Sequence, residues 1–270
     1  MWSRSMFRVA QGVALATVLL VGASACGSAS TARNTTARTA TPTTTTTTTT
    51  QRSTSSTVPL QLGCRSNGRP APSFIGSGRY VALTFDDGPS PDYTSAILTT
   101  LERTRTPATF FVVGENVQRY PDLVRREAGD GFTVGVHTWD HPDMTKLSPQ
   151  QREWELAATA QAIHSALGAD YCLSFWRPPF GDYDDAIVAQ ADSLGLSTVT
   201  WDVDSQDYLT PGVQLIVDRV LSTVHPGAII LLHDGDHSRW QTAQALPLII
   251  TGLKQRGYIP VTLPVLLAGG

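Results

Sequence analysis

From residue 80 onward, short apolar runs alternate with stretches in which apolar residues recur every three or four positions. The runs fall at 80–85 (YVALTF), 108–113 (ATFFVV), 133–136 (TVGV), 174–176 (SFW), 197–201 (STVTW), 228–232 (AIILL) and 258–261 (YIPV). Runs this short, with little polar alternation, predict strands buried on both faces. Helices are predicted between them at 92–103, 116–128, 149–167, 184–194, 212–224 and 240–256. The third has a well-marked start: Ser148 can cap it, Pro149 suits its first position, and Gln151 stands where a capping box needs it. Seven strands alternating with six helices predict an α/β fold with a parallel sheet covered by helices. Over about 210 residues an irregular barrel is expected rather than an open sheet. Chemistry in such a barrel sits on the loops at the C-terminal strand ends.

The first 58 residues show a different pattern. Arg4 and Arg8 precede an apolar stretch from Val9 to Val21, and Gly22-Ala23-Ser24-Ala25-Cys26 come next. A positive start, a short apolar run and small residues read as an export signal, expected over residues 1–26. The small residues before Cys26 resemble a bacterial lipoprotein box, although Ala23 stands where Leu is usual. Lipidation of Cys26 is therefore expected, with plain cleavage after Ala25 as the alternative. Residues 27–58 are mostly Ser, Thr and Ala, with eight consecutive Thr at 43–50. Such a stretch buries too little apolar surface to offset its chain entropy, so it is expected to be a disordered tether before a domain at 59–270.

The charges narrow the function. Residues 1–57 hold five of the twenty basic residues and no acid, leaving fifteen basic against twenty-three acidic in the remainder. An acidic body argues against a nucleic-acid partner, which needs a cationic face. Three cysteines are too few for a disulfide scaffold or a Cys-rich zinc module. If Cys26 carries lipid, Cys64 and Cys172 are left as an even pair in an oxidising compartment, and a disulfide between them is expected. No apolar run after Cys26 is long enough to span a bilayer.

The chemistry lies just beyond the end of each strand. Asp86-Asp87-Gly88-Pro89 come after the first and His137-Thr138-Trp139-Asp140-His141 after the third. Arg177-Pro178-Pro179-Phe180 succeed the fourth, Asp202, Asp204 and Asp207-Tyr208 the fifth, and His233-Asp234 the sixth. Singly, these are weak signals. Asp-Asp-Gly-Pro is turn chemistry, a lone Arg is commonly an ion pair, and a lone His after an apolar run is commonly a hydrogen-bonded core residue. All of them, however, lie at C-terminal strand ends and would gather at one barrel face. His164, His225 and His237 have no such grouping and are expected on helix and loop surfaces.

Taken together, the residues resemble a known family. Thr84-Phe85-Asp86-Asp87-Gly88-Pro89, His137-Thr138-Trp139-Asp140-His141, Arg177-Pro178-Pro179-Phe180, Asp204-Ser205-Gln206-Asp207-Tyr208 and Leu231-Leu232-His233 resemble, in order, the five motifs of the polysaccharide deacetylases. This family carries the NodB homology domain and is carbohydrate esterase family four. The likeness spans roughly residues 75–265. It implies a distorted (β/α) barrel of about seven parallel strands that hydrolyses an N-acetyl group on a sugar and releases acetate.

The resemblance also implies roles. Asp87, His137 and His141 fall on the family's metal ligands. Two imidazoles and one carboxylate with an open position suit catalytic zinc, with cobalt, manganese or nickel as alternatives. Asp86 falls on the general base and Arg177 on its partner. His233 falls on the acid that protonates the leaving amine, and Asp207 on the carboxylate beside it. The Phe180 N–H falls on the oxyanion donor, and Leu231 on the apolar pocket for the acetyl methyl. Tyr208 stands where the family usually has Trp, and Phe180 and Thr138 where it often has Tyr and Ser. Phe180 is expected to act through its backbone, so the chemistry should survive, while Tyr208 alters a pocket wall and bears on substrate preference rather than on reaction type.

The expected partner is a cell-wall glycan, most naturally peptidoglycan N-acetylglucosamine, met outside the cytoplasm by a monomer tethered to the membrane only by lipid or else secreted to the wall. Chitin oligomers are the alternative substrate for the same deacetylation, and three other functions compete with it. An O-acetyl esterase would share all the machinery. A silent glycan-binding module would need neither Asp86 nor His233. A glycosidase with paired carboxylates would leave the two histidines unexplained.

Overall fold

The computed structural model describes residues 78–129 and 131–268. Cys26, Cys64 and the expected signal and tether segments lie outside the described residues. Among the described residues, eight strands and eight α-helices succeed one another: β1 (Tyr80–Asp86), α1 (Thr94–Thr104), β2 (Thr109–Val112), α2 (Gly114–Arg119), α3 (Pro121–Glu127), β3 (Thr133–Val136), α4 (Pro149–Leu167), β4 (Phe175–Trp176), α5 (Asp185–Ser193), β5 (Ser197–Thr198), β6 (Val203–Asp204), α6 (Val213–Thr223), β7 (Ile229–His233), α7 (Trp240–Gln255), β8 (Ile259–Val261) and α8 (Leu263–Leu267). Every strand pairing is parallel. The order across the sheet is β5-β4-β3-β2-β1-β7-β6, and β8 pairs with the start of β1.

Two sequence expectations need correction. The run at 197–201 is not one strand. It ends at Thr198, and a separate β6 forms on the opposite edge of the sheet, beside β7. The predicted helix at 116–128 is two helices, because Pro121 drives Tyr120 out of the helical region to φ −131° and ψ 55°. The expected alternation is otherwise present. The capping box of α4 is complete: Gln151 N–H donates to Ser148 Oγ at 3.3 Å, and Ser148 N–H donates to Gln151 Oε1 at 2.9 Å.

The split at residue 199 shows how the sheet is shaped. Six strand spacings of about 4.8 Å would separate β5 from β6 by about 29 Å in a flat sheet. The chain from Thr198 to Val203 covers at most about 18 Å even when fully extended. The sheet must therefore curl until its two edges approach, giving the distorted half-barrel.

The alternation along β1 then assigns two cores. Val81, Leu83 and Phe85 pack outward with the helices in the large core cluster. Ala82 faces inward with Phe111, Phe175 and Val199, and α8 closes that inner space with Leu263 and Leu266. Thr84 and Asp86 share the inward face with Ala82, as the two-residue period requires. They carry it from apolar floor to polar rim. Arg177 joins these layers. It has no exposed surface, and its guanidinium carbon lies 4.2 Å from the centre of the Phe111 ring. Its Nε donates to Val199 O at 3.3 Å and its Nη2 to Thr200 O at 3.1 Å, in the segment that crosses between the sheet edges.

Candidate active site

The strand-end residues converge on one cleft of about 340 Å³. Its lining includes Asp86, Asp87, His137, His141, Phe180, Tyr208, Leu231 and His233. Asp86 is the last residue of β1 and pairs in register with His233, the last of β7, so neighbouring strands bring them to the same level. His137 comes directly after β3, and Arg177 directly after β4. Several site residues hold left-handed backbone that is unfavourable outside glycine: Asp87 at φ 73°, Thr138 at 67°, His141 at 61° and Phe180 at 60°. Their clustering here marks strain held in place by surrounding structure.

Asp87, His137 and His141 place one ligand atom each within 4.8 Å of one another. Asp87 Oδ1 lies 3.4 Å from both His137 Nε2 and His141 Nε2. It is buried and accepts no hydrogen bond. His137 Nδ1 lies 2.8 Å from Arg177 O, which leaves Nε2 for the cluster. Burial raises the Asp87 pKa, but the close approach of His137 and the charges of His137, His233 and His141 outweigh it and hold the carboxyl far below its usual range. Burial likewise opposes a charged His137, yet Asp86 and Asp87 push its pKa up. The pocket thus favours positive charge. An orphaned buried carboxylate oxygen facing two imidazole nitrogens fits a divalent cation.

Two carboxylate–cation pairs flank this cluster. Asp86 Oδ1 accepts from Arg177 Nη1 at 2.7 Å, and Thr84 Oγ1 accepts from the same nitrogen at 2.8 Å. Thr84 in turn donates to Ile230 O at 2.8 Å. On the other side, His233 Nδ1 lies 2.7 Å from Asp207 Oδ1, and the His233 backbone N–H donates to Asp207 Oδ2 at 2.8 Å. Thr242, on α7, donates to the same Oδ2 at 2.7 Å. Burial would lower the His233 pKa, but the Asp207 charge and hydrogen bond prevail, with Asp87 and Asp86 adding, and push it up to about 9. Asp207 moves the other way: burial raises it, and His233 and Thr242 more than offset that.

The cleft walls differ in exposure. Leu231 is buried. Phe180 is exposed, its ring 4.6 Å from that of His141, and its N–H comes after two prolines and has no acceptor among the described residues. Tyr208 is exposed, with its ring 5.6 Å from His233 and its hydroxyl 3.3 Å from Asp204 Oδ2. His225 is exposed and lies 2.8 Å from Asp202, while His164 is half-buried on α4. His237 is exposed but also lines the cleft, which its position in the sequence did not reveal. Thr242 and Arg239 are further cleft or support residues that sequence reasoning missed, and Thr84 stood in the first motif without a role.

A parallel half-barrel with carboxylates and imidazoles at its C-terminal rim defines an α/β barrel protein with a candidate metal and acid–base cleft. A profile described as polysaccharide deacetylase matches residues 75–199. The chain is 39% identical over 203 residues to a chitooligosaccharide deacetylase of Bradyrhizobium sp. (strain ANU 289), a match covering 71% of this chain and 92% of that protein. It is 37% identical over 191 residues to a peptidoglycan-N-acetylglucosamine deacetylase of Bacillus cereus, covering 70% and 88%. Among solved structures it is similar to the peptidoglycan deacetylase PdaC from Bacillus subtilis. The TM-score is 0.66 at 35% identity, over 72% of this chain and 92% of that chain. The chain belongs to the polysaccharide deacetylase family.

Proposed function

We propose that this protein hydrolyses N-acetyl groups of a cell-wall glycan, with peptidoglycan N-acetylglucosamine as its substrate, and that Asp87, His137 and His141 hold a divalent cation, zinc in the first instance. The observation that carries the reading is the pairing on either side of the cluster: Asp86 with Arg177 at 2.7 Å and His233 with Asp207 at 2.7 Å. One pair sets a carboxylate against a fixed cation and the other sets an imidazole against a buried carboxylate, the arrangements that a base and an acid require.

When bound, the cation polarises the acetyl carbonyl and lowers the pKa of water. Asp86, fixed by Arg177, accepts a proton from the attacking water. The Phe180 N–H donates to the carbonyl oxygen as negative charge develops there. Leu231 provides an apolar wall for the acetyl methyl. The carbon–nitrogen bond then breaks, and His233 gives its proton to the leaving amine while Asp207 stabilises the imidazolium that preceded it. Acetate and the free sugar amine result.

The substrate assignment rests on place. An export signal over residues 1–26, a lipid on Cys26 and a tether over 27–58 would set a catalytic domain at 59–270 against wall glycan, outside the cytoplasm. A Cys64–Cys172 disulfide would suit that compartment. A second reading, deacetylation of chitin oligomers, is favoured by the likeness to the Bradyrhizobium protein. Acetate release from peptidoglycan, chitin oligomers and acetylated xylan, measured side by side, tests the choice. Peptidoglycan should be turned over fastest; a preference for xylan would make the enzyme an O-acetyl esterase instead.

A further inference from the structure

The loop from Asp234 to Arg239 is built against the end of β1. Asp234 and Gly235 both donate backbone N–H groups to Asp86 O, at 3.0 and 3.3 Å. Gly235 is packed so closely that a Cβ there would lie 1.9 Å from Asp87 O. The loop ends in Arg239, which is 2% exposed. An arginine so deeply buried needs compensation for its lost hydration. Its Nε donates to Gly235 O at 2.9 Å, which anchors the guanidinium to the same loop. Its Nη2 lies 3.7 Å from Asp87 Oδ2, and Nη1 is buried without a hydrogen-bond partner. Among the described residues, Asp87 is the only carboxylate within 4.0 Å of this cation.

The two oxygens of Asp87 are therefore distinguished. Oδ2 faces a fixed guanidinium, and Oδ1 faces His137 and His141. A carboxylate free to rotate would exchange its oxygens or offer both. We infer that Arg239 is a positioning residue for the metal site, pinning Asp87 Oδ2 so that Asp87 presents Oδ1 alone to the cation. This inference rests on the reading of Asp87, His137 and His141 as a metal site. Partners that orient a ligand typically contribute 10–100-fold to metal affinity or activity when removed.

The test measures zinc affinity by competition with a chelator, and the visible spectrum of the cobalt-loaded protein, for wild type, Arg239→Lys and Arg239→Gln. Lysine keeps the cation but cannot hold both Gly235 O and Asp87 Oδ2; glutamine removes the cation. Zinc affinity should fall in the order wild type, Lys, Gln, with the Gln variant weaker by about tenfold or more. The cobalt spectrum of Arg239→Gln should change as the second carboxylate oxygen becomes available. A Gln variant matching wild type in both readouts overturns the inference, and so does a Lys variant no better than Gln. If Arg239→Gln fails to fold, the Lys variant decides alone: a severalfold loss of affinity supports the pinning, and wild-type affinity refutes it. Should wild type itself bind no zinc, it is the metal-site reading that fails.

Discussion

Replacing Asp207 with Asn tests the acid half of the mechanism without altering the cation cluster. In the native protein His233 is pushed up to about 9, from an ordinary 6.5. Burial, the largest influence, acts to lower that value, and Asp207 is the foremost opposing charge. With Asp207 neutral, burial prevails and the imidazole should deprotonate at or below about 6.5. At pH 8 the native imidazole is about 90% protonated, and the variant's about 3% or less. A cation on the neighbouring cluster lowers both values, so the alkaline limb of the pH–rate profile should move down by up to about 2.5 units, with up to about a thirtyfold loss at pH 8 beyond any loss on the acid plateau. The same shift acts on stability. A group whose folded pKa is raised stabilises the fold fully below about pH 6.5, and that contribution disappears as pH rises through about 9. A shift from 6.5 to about 9 on a side chain that is 12% exposed is worth about 3 kcal/mol. The assay is acetate release across pH 5–10 on metal-loaded wild type and Asp207→Asn, with denaturant unfolding of both at pH 6 and pH 10. Identical alkaline limbs would refute the role of Asp207 and the assignment of His233 as the acid.

Other substitutions probe separate parts of the mechanism. Asp86→Asn should retain metal and lose activity by about 10²–10⁴-fold, the usual contribution of a positioned proton acceptor; metal analysis and kcat together check this. His233→Ala should damage amide hydrolysis far more than hydrolysis of an aryl acetate, whose leaving group needs no proton, so equal damage to both substrates would remove the acid role. Gly235→Ala should force Asp87 aside, with a fall of about 1–3 kcal/mol in stability and weaker zinc binding; wild-type values in both would contradict the close packing of Gly235 on Asp87. Thiol labelling of the native, unreduced protein should find neither Cys64 nor Cys172 reactive.

How much of this was legible in the chain depends on the range of each interaction. The strands showed themselves because both faces of β1, β2 and β7 are buried, which leaves apolar runs. The α4 cap was legible because a capping box is local, closing over three residues. The candidate ligands and proton-transfer residues could be grouped by their positions along the chain, since a parallel barrel sends every strand's C-terminal end to one rim. What was hidden depends on contacts between distant segments. Ser197 to Trp201 is uniformly strand-like, and only closure of the sheet divides it. Thr84 reads as one more strand threonine, although it links Arg177 to Ile230. Thr242 lies 35 residues from the Asp207 it supports, beyond α6 and β7. Arg239 sits before an amphipathic helix, where an exposed charge is the ordinary expectation, and its burial against Asp87 comes from the path of the preceding loop.

Metal-dependent deacetylation stands or falls on acetate release from an N-acetylglucosaminyl glycan by the full-length protein, after chelation and again after zinc is restored, alongside His137→Ala. The mechanism requires release by the native protein, its loss on chelation, its return with zinc, and no return in His137→Ala. Undiminished release by the chelated protein, or restored release in a His137→Ala variant that binds no metal, would contradict it.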